Sequence, residues 1–246
     1  MRRLLWSLWI VVPLAIYVLS GDTTGLPPAP ETATFEGGAV VSVSTPASEV
    51  GARVLREGGN AVDAAVATAF ALAVTWPEAG NLGGGGFMVV RRGDTGEVST
   101  IDFRERAPAA ATADMLLGDD GSRDGDKALH SALAVGVPGS VEGLRLAHER
   151  HGSLPWSRLV TPAAHLAQGG VVVDAALAHS FQRSSERLLA DAATRAMWAP
   201  DGQLPREGDL WRQPDLARTL TRIASEGGGE FYTGETARLL AATMQD

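Results

Sequence analysis

The sequence predicts an α/β fold in which at least part of the sheet is antiparallel. Three observations carry that reading. Residues 61–74 are apolar on almost every side, over a length that suits a helix buried all round. Two strand-like stretches, 87–92 and 97–103, flank the turn sequence Gly93-Asp94-Thr95-Gly96 and so make a hairpin. Beyond residue 138 the chain reads as successive helices punctuated by glycine and proline.

The elements follow in order. Arg2 and Arg3 precede an apolar run at 4–19, broken only by Ser7 and Pro13, and Ser20, Gly21 and Asp22 follow it. A basic start, a short apolar stretch and a small-residue exit make residues 1–20 an export signal cut after Ser20, or an inner-membrane anchor if retained. The run is slightly short of the ~20 residues of a comfortable span. Residues 21–36 are rich in proline and poor in apolar side chains, and read as a linker. The folded region begins at 37. Residues 39–43 form a short apolar strand, and Thr45 caps a helix with Pro46 at its first position. That helix stops at Gly58-Gly59. Asn60 caps the next, with Asp63 in capping-box position. After the hairpin, residues 109–130 are polar and turn-rich, a surface excursion.

Ser140 caps a helix reaching residue 150, and Thr161-Pro162 starts another that ends at Gly169-Gly170. Asp174 opens a third to about residue 189, and 198–210 is loop. Pro214 opens a helix with Leu216, Leu220 and Ile223 on one face, ended by the glycines at 227–229. Thr233 caps the last, with Leu239, Leu240 and Met244 apolar. No glycine or proline follows Met244, so the sequence reads as a region cut short rather than a closed domain.

Composition narrows the chemistry. Of 246 residues, 45% are hydrophobic, enough for a sizeable core. The net charge is −8, Lys127 is the only lysine and no basic block exists, which excludes nucleic acid as an expected partner. With no cysteine there is no disulfide, thiolate metal site or cysteine nucleophile. The histidines at 130, 148, 151, 165 and 179 show no metal-ligand spacing, and His148 and His151 straddle a helix end. They read as surface or packing residues, and neither metal nor cofactor is expected. No serine sits in a G-x-S-x-G elbow. Glu49, Glu57 and Asp63 are helix-terminal acids suited to capping or to the helix dipole.

Two motifs remain. Gly83-Gly84-Gly85-Gly86 is not a phosphate cradle, because phosphate loops follow a strand and open a helix, whereas here a helix precedes and a strand follows. Either a close-packed structural turn or a loop beneath a substrate pocket fits it. Arg104 ends the second hairpin strand, and alternation with Ile101 and Phe103 points it away from the apolar face. Its planar fork of donors suits a substrate carboxylate, or else an ion pair with Asp102 or Glu105.

Taken together, Glu57-Gly58-Gly59-Asn60-Ala61-Val62-Asp63-Ala64-Ala65, Asn81-Leu82 with the four glycines and Phe87-Met88, and Ile101-Asp102-Phe103-Arg104-Glu105 with Ala107-Pro108 resemble the gamma-glutamyltransferase (gamma-glutamyltranspeptidase) large subunit. Val137-Pro138-Gly139-Ser140-Val141 and Glu230-Phe231-Tyr232-Thr233-Gly234 add softer marks, and the likeness covers about 37–246. The resemblance implies an N-terminal-nucleophile hydrolase with a four-layer αββα sandwich, present here in part. It implies a proenzyme that cuts itself into two subunits, the new N-terminal threonine of the small subunit being nucleophile and base. The substrates implied are gamma-glutamyl compounds such as glutathione, with water, amino acids or peptides as acceptors. The protein partner implied is its own small subunit. Arg104 would grip the alpha-carboxylate of the glutamyl group. The nucleophile has no counterpart here, since Thr23-Thr24 is followed by Gly25 and lies in the linker. The chain alone is therefore expected to be inactive, and its setting exported. A cephalosporin- or glutaryl-type acylase of the same superfamily and a non-catalytic fragment are the rival readings.

Overall fold

The computed structural model describes residues 34–244. The signal or anchor at 1–20, Thr23-Thr24 and nearly all of the 21–36 linker lie outside the described residues. Within them, helices dominate. Helix α1 (Thr45–Arg56) and helix α2 (Ala61–Thr75) come first, followed by the hairpin β1 (Phe87–Arg91) and β2 (Val98–Asp102). A short helix α3 (Gly125–His130) interrupts the excursion before α4 (Ser140–His151) and α5 (Trp156–Gly169). Then come β3 (Val171–Val172), α6 (Ala175–Arg183), α7 (Ser185–Ala190), α8 (Ala192–Trp198), β4 (Leu210–Trp211), α9 (Pro214–Glu226), α10 (Glu230–Thr233) and α11 (Glu235–Thr243). Both sheets among the described residues are two-stranded and antiparallel, β1 with β2 and β3 with β4.

The core forms where α2 is surrounded. Its largely apolar sequence meets α1, α4 and α5, and α5 in turn packs on α9. Phe70, Val66 and Val74 of α2, Leu159 and Val160 of α5, and Leu220 and Ile223 of α9 are fully buried. Trp156 joins three of these elements: its ring meets Phe70 edge-on at 5.5 Å and its indole N–H donates to the Ile223 carbonyl at 2.8 Å. A second apolar cluster forms around the small β3–β4 ribbon, where Phe181, Trp198 and Trp211 pack edge to face with centroids 5.1–5.7 Å apart.

Several boundaries differ from the sequence reading. Residues 39–43 make no strand, and Val41 and Val43 are exposed, because no described strand lies alongside to pair with them. Ser44, not Thr45, is the N-cap of α1. Ser140 is the first residue of α4 and Gly139 its cap, because the Ser140 hydroxyl is spent on Asn81. Pro162 lies inside α5 rather than at a start. The lost hydrogen bond, ~3 kcal/mol in an isolated helix, is outweighed by burial of Leu159, Val160, Ala163, Ala164 and Ala167 on one face. The helix opened by Asp174 breaks at Ser184, and a separate α8 is capped by Asp191. Thr233 closes α10 instead of capping α11, whose cap is Gly234.

One buried carboxylate ties the stack together. Asn60 and Asp63 form the expected capping box: the Asn60 side chain accepts from the Val62 and Asp63 amides, and Asp63 accepts from the Asn60 amide at 2.9 Å. Asp63 does more than cap. Fully buried, it also accepts from the Ser153 hydroxyl at 2.5 Å and the Ser153 amide at 3.0 Å. The Asn60 amide side chain donates to the His151 carbonyl at 2.7 Å. The C-terminus of α4 is thereby fastened to the N-terminus of α2. Burial by itself would raise the Asp63 pKa. Hydrogen bonds from the Ser153 hydroxyl and from the Asn60, Ser153 and Leu154 amides outweigh it and hold the carboxyl below its ordinary 3.8.

Asp63→Asn is expected to lower stability by about 2–4 kcal/mol at neutral pH. Because the folded pKa lies below the unfolded one, this contribution is complete above the ordinary pKa and is lost as pH falls through the folded value. Thermal unfolding of both proteins should show their gap narrowing below pH ~4; a gap of constant size down to acid pH would contradict the assignment.

Candidate functional site

Arg104 stands where the hairpin meets the glycine run and the start of α4. The backbone there is crowded. Gly86 and Phe103 exchange backbone hydrogen bonds at 3.0 and 3.4 Å, extending the hairpin by one pair. The Gly84 carbonyl accepts from the amides of Gly139 and Ser140 at 2.7 and 2.9 Å, which brings the first turn of α4 against the glycines. Asn81 closes the loop: its side-chain oxygen accepts from the Gly84 amide at 2.8 Å and the Ser140 hydroxyl at 2.6 Å. A Cβ on Gly85 would sit 2.8 Å from the Arg104 Cα, one on Gly139 would strike the Phe103 carbonyl, and one on Gly143 the Phe103 ring. The glycines are thus the absence of side chains that lets three backbones converge at Phe103, as in a close-packed turn. They place Arg104 on the rim.

The side chain of Arg104 is exposed and, among the described residues, engages no carboxylate. Neither alternative partner holds it. Asp102 instead accepts the Arg104 backbone amide at 3.0 Å, fixing the turn that follows β2. Glu142, across the cleft, is held by Arg145 through two bonds of 2.8 Å, and that pairing keeps its carboxyl below the usual range. The guanidinium carbon lies 6.0 Å from the centroid of the Phe87 ring. A cleft of about 370 Å³ opens beside it, lined among others by Phe103, Arg104, Arg106, Pro138 and Tyr232. The Tyr232 hydroxyl accepts the Glu142 amide at 3.0 Å, and burial pushes its pKa up. On the far side of Pro138 and Tyr232 lies a larger apolar cleft of about 530 Å³ without a charged lining residue.

What the arrangement offers chemically is a guanidinium fork held at a cleft mouth, with no nucleophile–base pair beside it among the described residues. A model of the gamma-glutamyltranspeptidase family matches residues 47–246. The chain belongs to that family. It is 47% identical over 209 residues to the glutathione hydrolase proenzyme of Escherichia coli K12, a match covering 85% of this chain and 36% of that protein. Its fold superposes on the gamma-glutamyltranspeptidase of Helicobacter pylori with a TM-score of 0.84 at 39% identity, covering 87% of this chain and 62% of that one. A cephalosporin acylase from Bacillus halodurans shares the fold at 27% identity, TM-score 0.74, covering 88% of this chain and 41% of that one. The chain therefore spans little more than a third of the length of the E. coli relative.

Of the sequence-predicted features, Arg104 and the glycine run are brought together as expected. His148 and His151 are not part of this place. Both lie inside α4, and their rings meet the Leu154 carbonyl at 2.7 Å and the Ser99 hydroxyl at 3.2 Å, in packing roles. The sequence reading assigned no role here to Phe87, nor to Asp102 beyond an ion pair with Arg104, nor to Asn81 and Tyr232. The register was available for the first two, since strands of equal length about the Gly93–Gly96 turn put Phe87 opposite Asp102. The Asn81–Ser140 bond joins residues 59 apart and leaves no local signal.

Gly139→Ala should displace the Phe103–Arg104 backbone, because the clash is with a carbonyl rather than a flexible side-chain tip. The expected cost is about 1–3 kcal/mol, read as a lowered unfolding midpoint. Gly83→Ala, whose Cβ would meet nothing within 4 Å, should be nearly neutral in the same assay. Equal effects of the two would argue against the crowding.

Proposed function

We propose that this chain supplies the Arg104-bearing wall of a glutathione hydrolase, and that Arg104 binds the alpha-carboxylate of a gamma-glutamyl substrate. Membership of the family gives the reaction class. The observation that carries the site reading is the Arg104 guanidinium, fixed by its backbone at a cleft rim and unpaired among the described residues. A bidentate pair with a carboxylate would orient the substrate and bring its gamma-carbonyl to one place. The nucleophile is assigned to a threonine outside this chain, freed as an N-terminus by self-cleavage. Its hydroxyl attacks the gamma-carbonyl, its own amine takes the proton, and the amine of the substrate leaves. Water or an amino acid then attacks the gamma-glutamyl ester and releases the threonine.

The exposed face of the hairpin supports the same division of labour. Met88, Val90, Ser99 and Ile101 face inward, while Phe87, Val89 and Val98 are 65%, 70% and 58% exposed on the other face, the side of Arg104. A ribbon that carries apolar side chains on its outer face as well as its inner one suits a sandwich completed by the small subunit. Residues 1–20 suit export and 21–36 a linker. Among the described residues no helix is long and apolar enough to cross a membrane. The higher identity to the glutathione hydrolase than to the acylase favours gamma-glutamyl amides as substrates.

The 246-residue chain alone should release nothing from a gamma-glutamyl anilide, whereas the full-length proenzyme should turn it over. Turnover by the purified chain would overturn the assignment of the nucleophile. In the full-length protein, Arg104→Lys should raise KM by roughly 10–100-fold, as loss of a charged bidentate contact implies, with the unfolding midpoint little changed. Saturation indistinguishable from the wild type would refute the carboxylate role.

A further inference from the structure

We propose that Phe87 is a positioning residue for Arg104, its ring holding the guanidinium in the orientation that receives a carboxylate. The inference rests on the carboxylate role of Arg104 proposed above. Phe87 opens β1 with its side chain largely exposed, and it faces Asp102 in the hairpin register. Because Gly86 and Phe103 form the hydrogen-bonded pair, Phe87 and Asp102 form the next, non-hydrogen-bonded pair, where facing side chains stand closest. Arg104 lies two residues beyond Asp102, past the strand end and diagonal to Phe87, a separation that an arginine and an aromatic ring can bridge. The 6.0 Å from guanidinium carbon to ring centroid is that diagonal contact, at the outer edge of the range in which the ring quadrupole attracts a cation.

The placement has a consequence for recognition. A solvated arginine at a strand end samples many rotamers, and binding a carboxylate must freeze them. A ring against the guanidinium removes part of that freedom in advance. The backbone beneath Arg104 is already fixed by Asp102 and Gly85, so the ring restrains the one part of the residue still free. An aliphatic side chain at 87 would fill the same space without attracting the cation.

The test uses the full-length proenzyme with Phe87→Leu, Phe87→Tyr and Arg104→Lys. KM and kcat are measured with a gamma-glutamyl anilide. Inhibition constants are measured for glutamate and for its alpha-amide, which lacks the alpha-carboxylate. Phe87→Leu should raise KM and the glutamate inhibition constant roughly two- to fivefold, leave kcat unchanged, and leave inhibition by the alpha-amide unchanged. Phe87→Tyr keeps the ring face and should stay within about twofold of wild type throughout. If Phe87→Leu does not mature into two subunits on a gel, Phe87→Met serves in its place. Weakening of glutamate and alpha-amide alike, or no weakening by the aliphatic variant while Arg104→Lys does weaken binding, overturns the role of Phe87 alone. If Arg104→Lys leaves binding intact, the underlying reading of Arg104 falls instead.

Discussion

Everything near the candidate site depends on how closely three stretches of backbone approach Phe103. The end of β2, the glycine loop and the first turn of α4 meet there at distances that exclude a Cβ at Gly85, Gly139 or Gly143. The phenyl ring then fills the space between the hairpin and α4 and acts as a spacer. None of these contacts touches the Arg104 side chain. They determine where its Cα stands and so where a guanidinium can reach.

Helix α4 transmits that placement to the core. Its N-terminus is held by the Gly84 carbonyl and by Asn81. Just past its C-terminus the chain is held by the buried Asp63 carboxylate, while Asn60 grips the His151 carbonyl. His151 also reaches Ser99 of β2 at 3.2 Å. A helix of 12 residues pinned at both ends behaves as a strut between the buried α2 and the hairpin. Hydrogen bonds are directional and hold orientation better than apolar contacts, which slide at little cost. The stack of α2, α5 and α9 supplies mass and burial, and the polar bonds at the ends of α4 supply orientation.

Much of this was legible in the sequence where local chemistry speaks for itself. Asn60 with Asp63, the largely apolar run at 61–74, the Gly93–Gly96 turn and the Leu220–Ile223 face each carry a short-range signal, and each appears where expected. The failures are of two kinds. Pro162 and Ser184 mislead because tertiary burial overrides the punctuation in one case, and a helix breaks without a glycine or proline in the other. Residues 39–43 mislead because a strand exists only if another strand lies beside it. At the site, the position of Arg104 followed from alternation and the hairpin. The bonds that fix it, from Asn81 to Ser140 and from Asp63 to Ser153, span 59 and 90 residues and cannot be read from spacing.

The bare outer face of the hairpin has a consequence for how such a protein is made. Its edges are open among the described residues, and Val89 and Val98 lie on it in water. While it stays uncovered, the open edges of the same ribbon in another copy can compete with the sheet proposed to cover it. Coverage within one chain is independent of concentration, whereas pairing between copies rises with it. The same surface that is proposed to be covered in the finished molecule thus sets a race during synthesis, and crowded nascent chains favour the losing outcome.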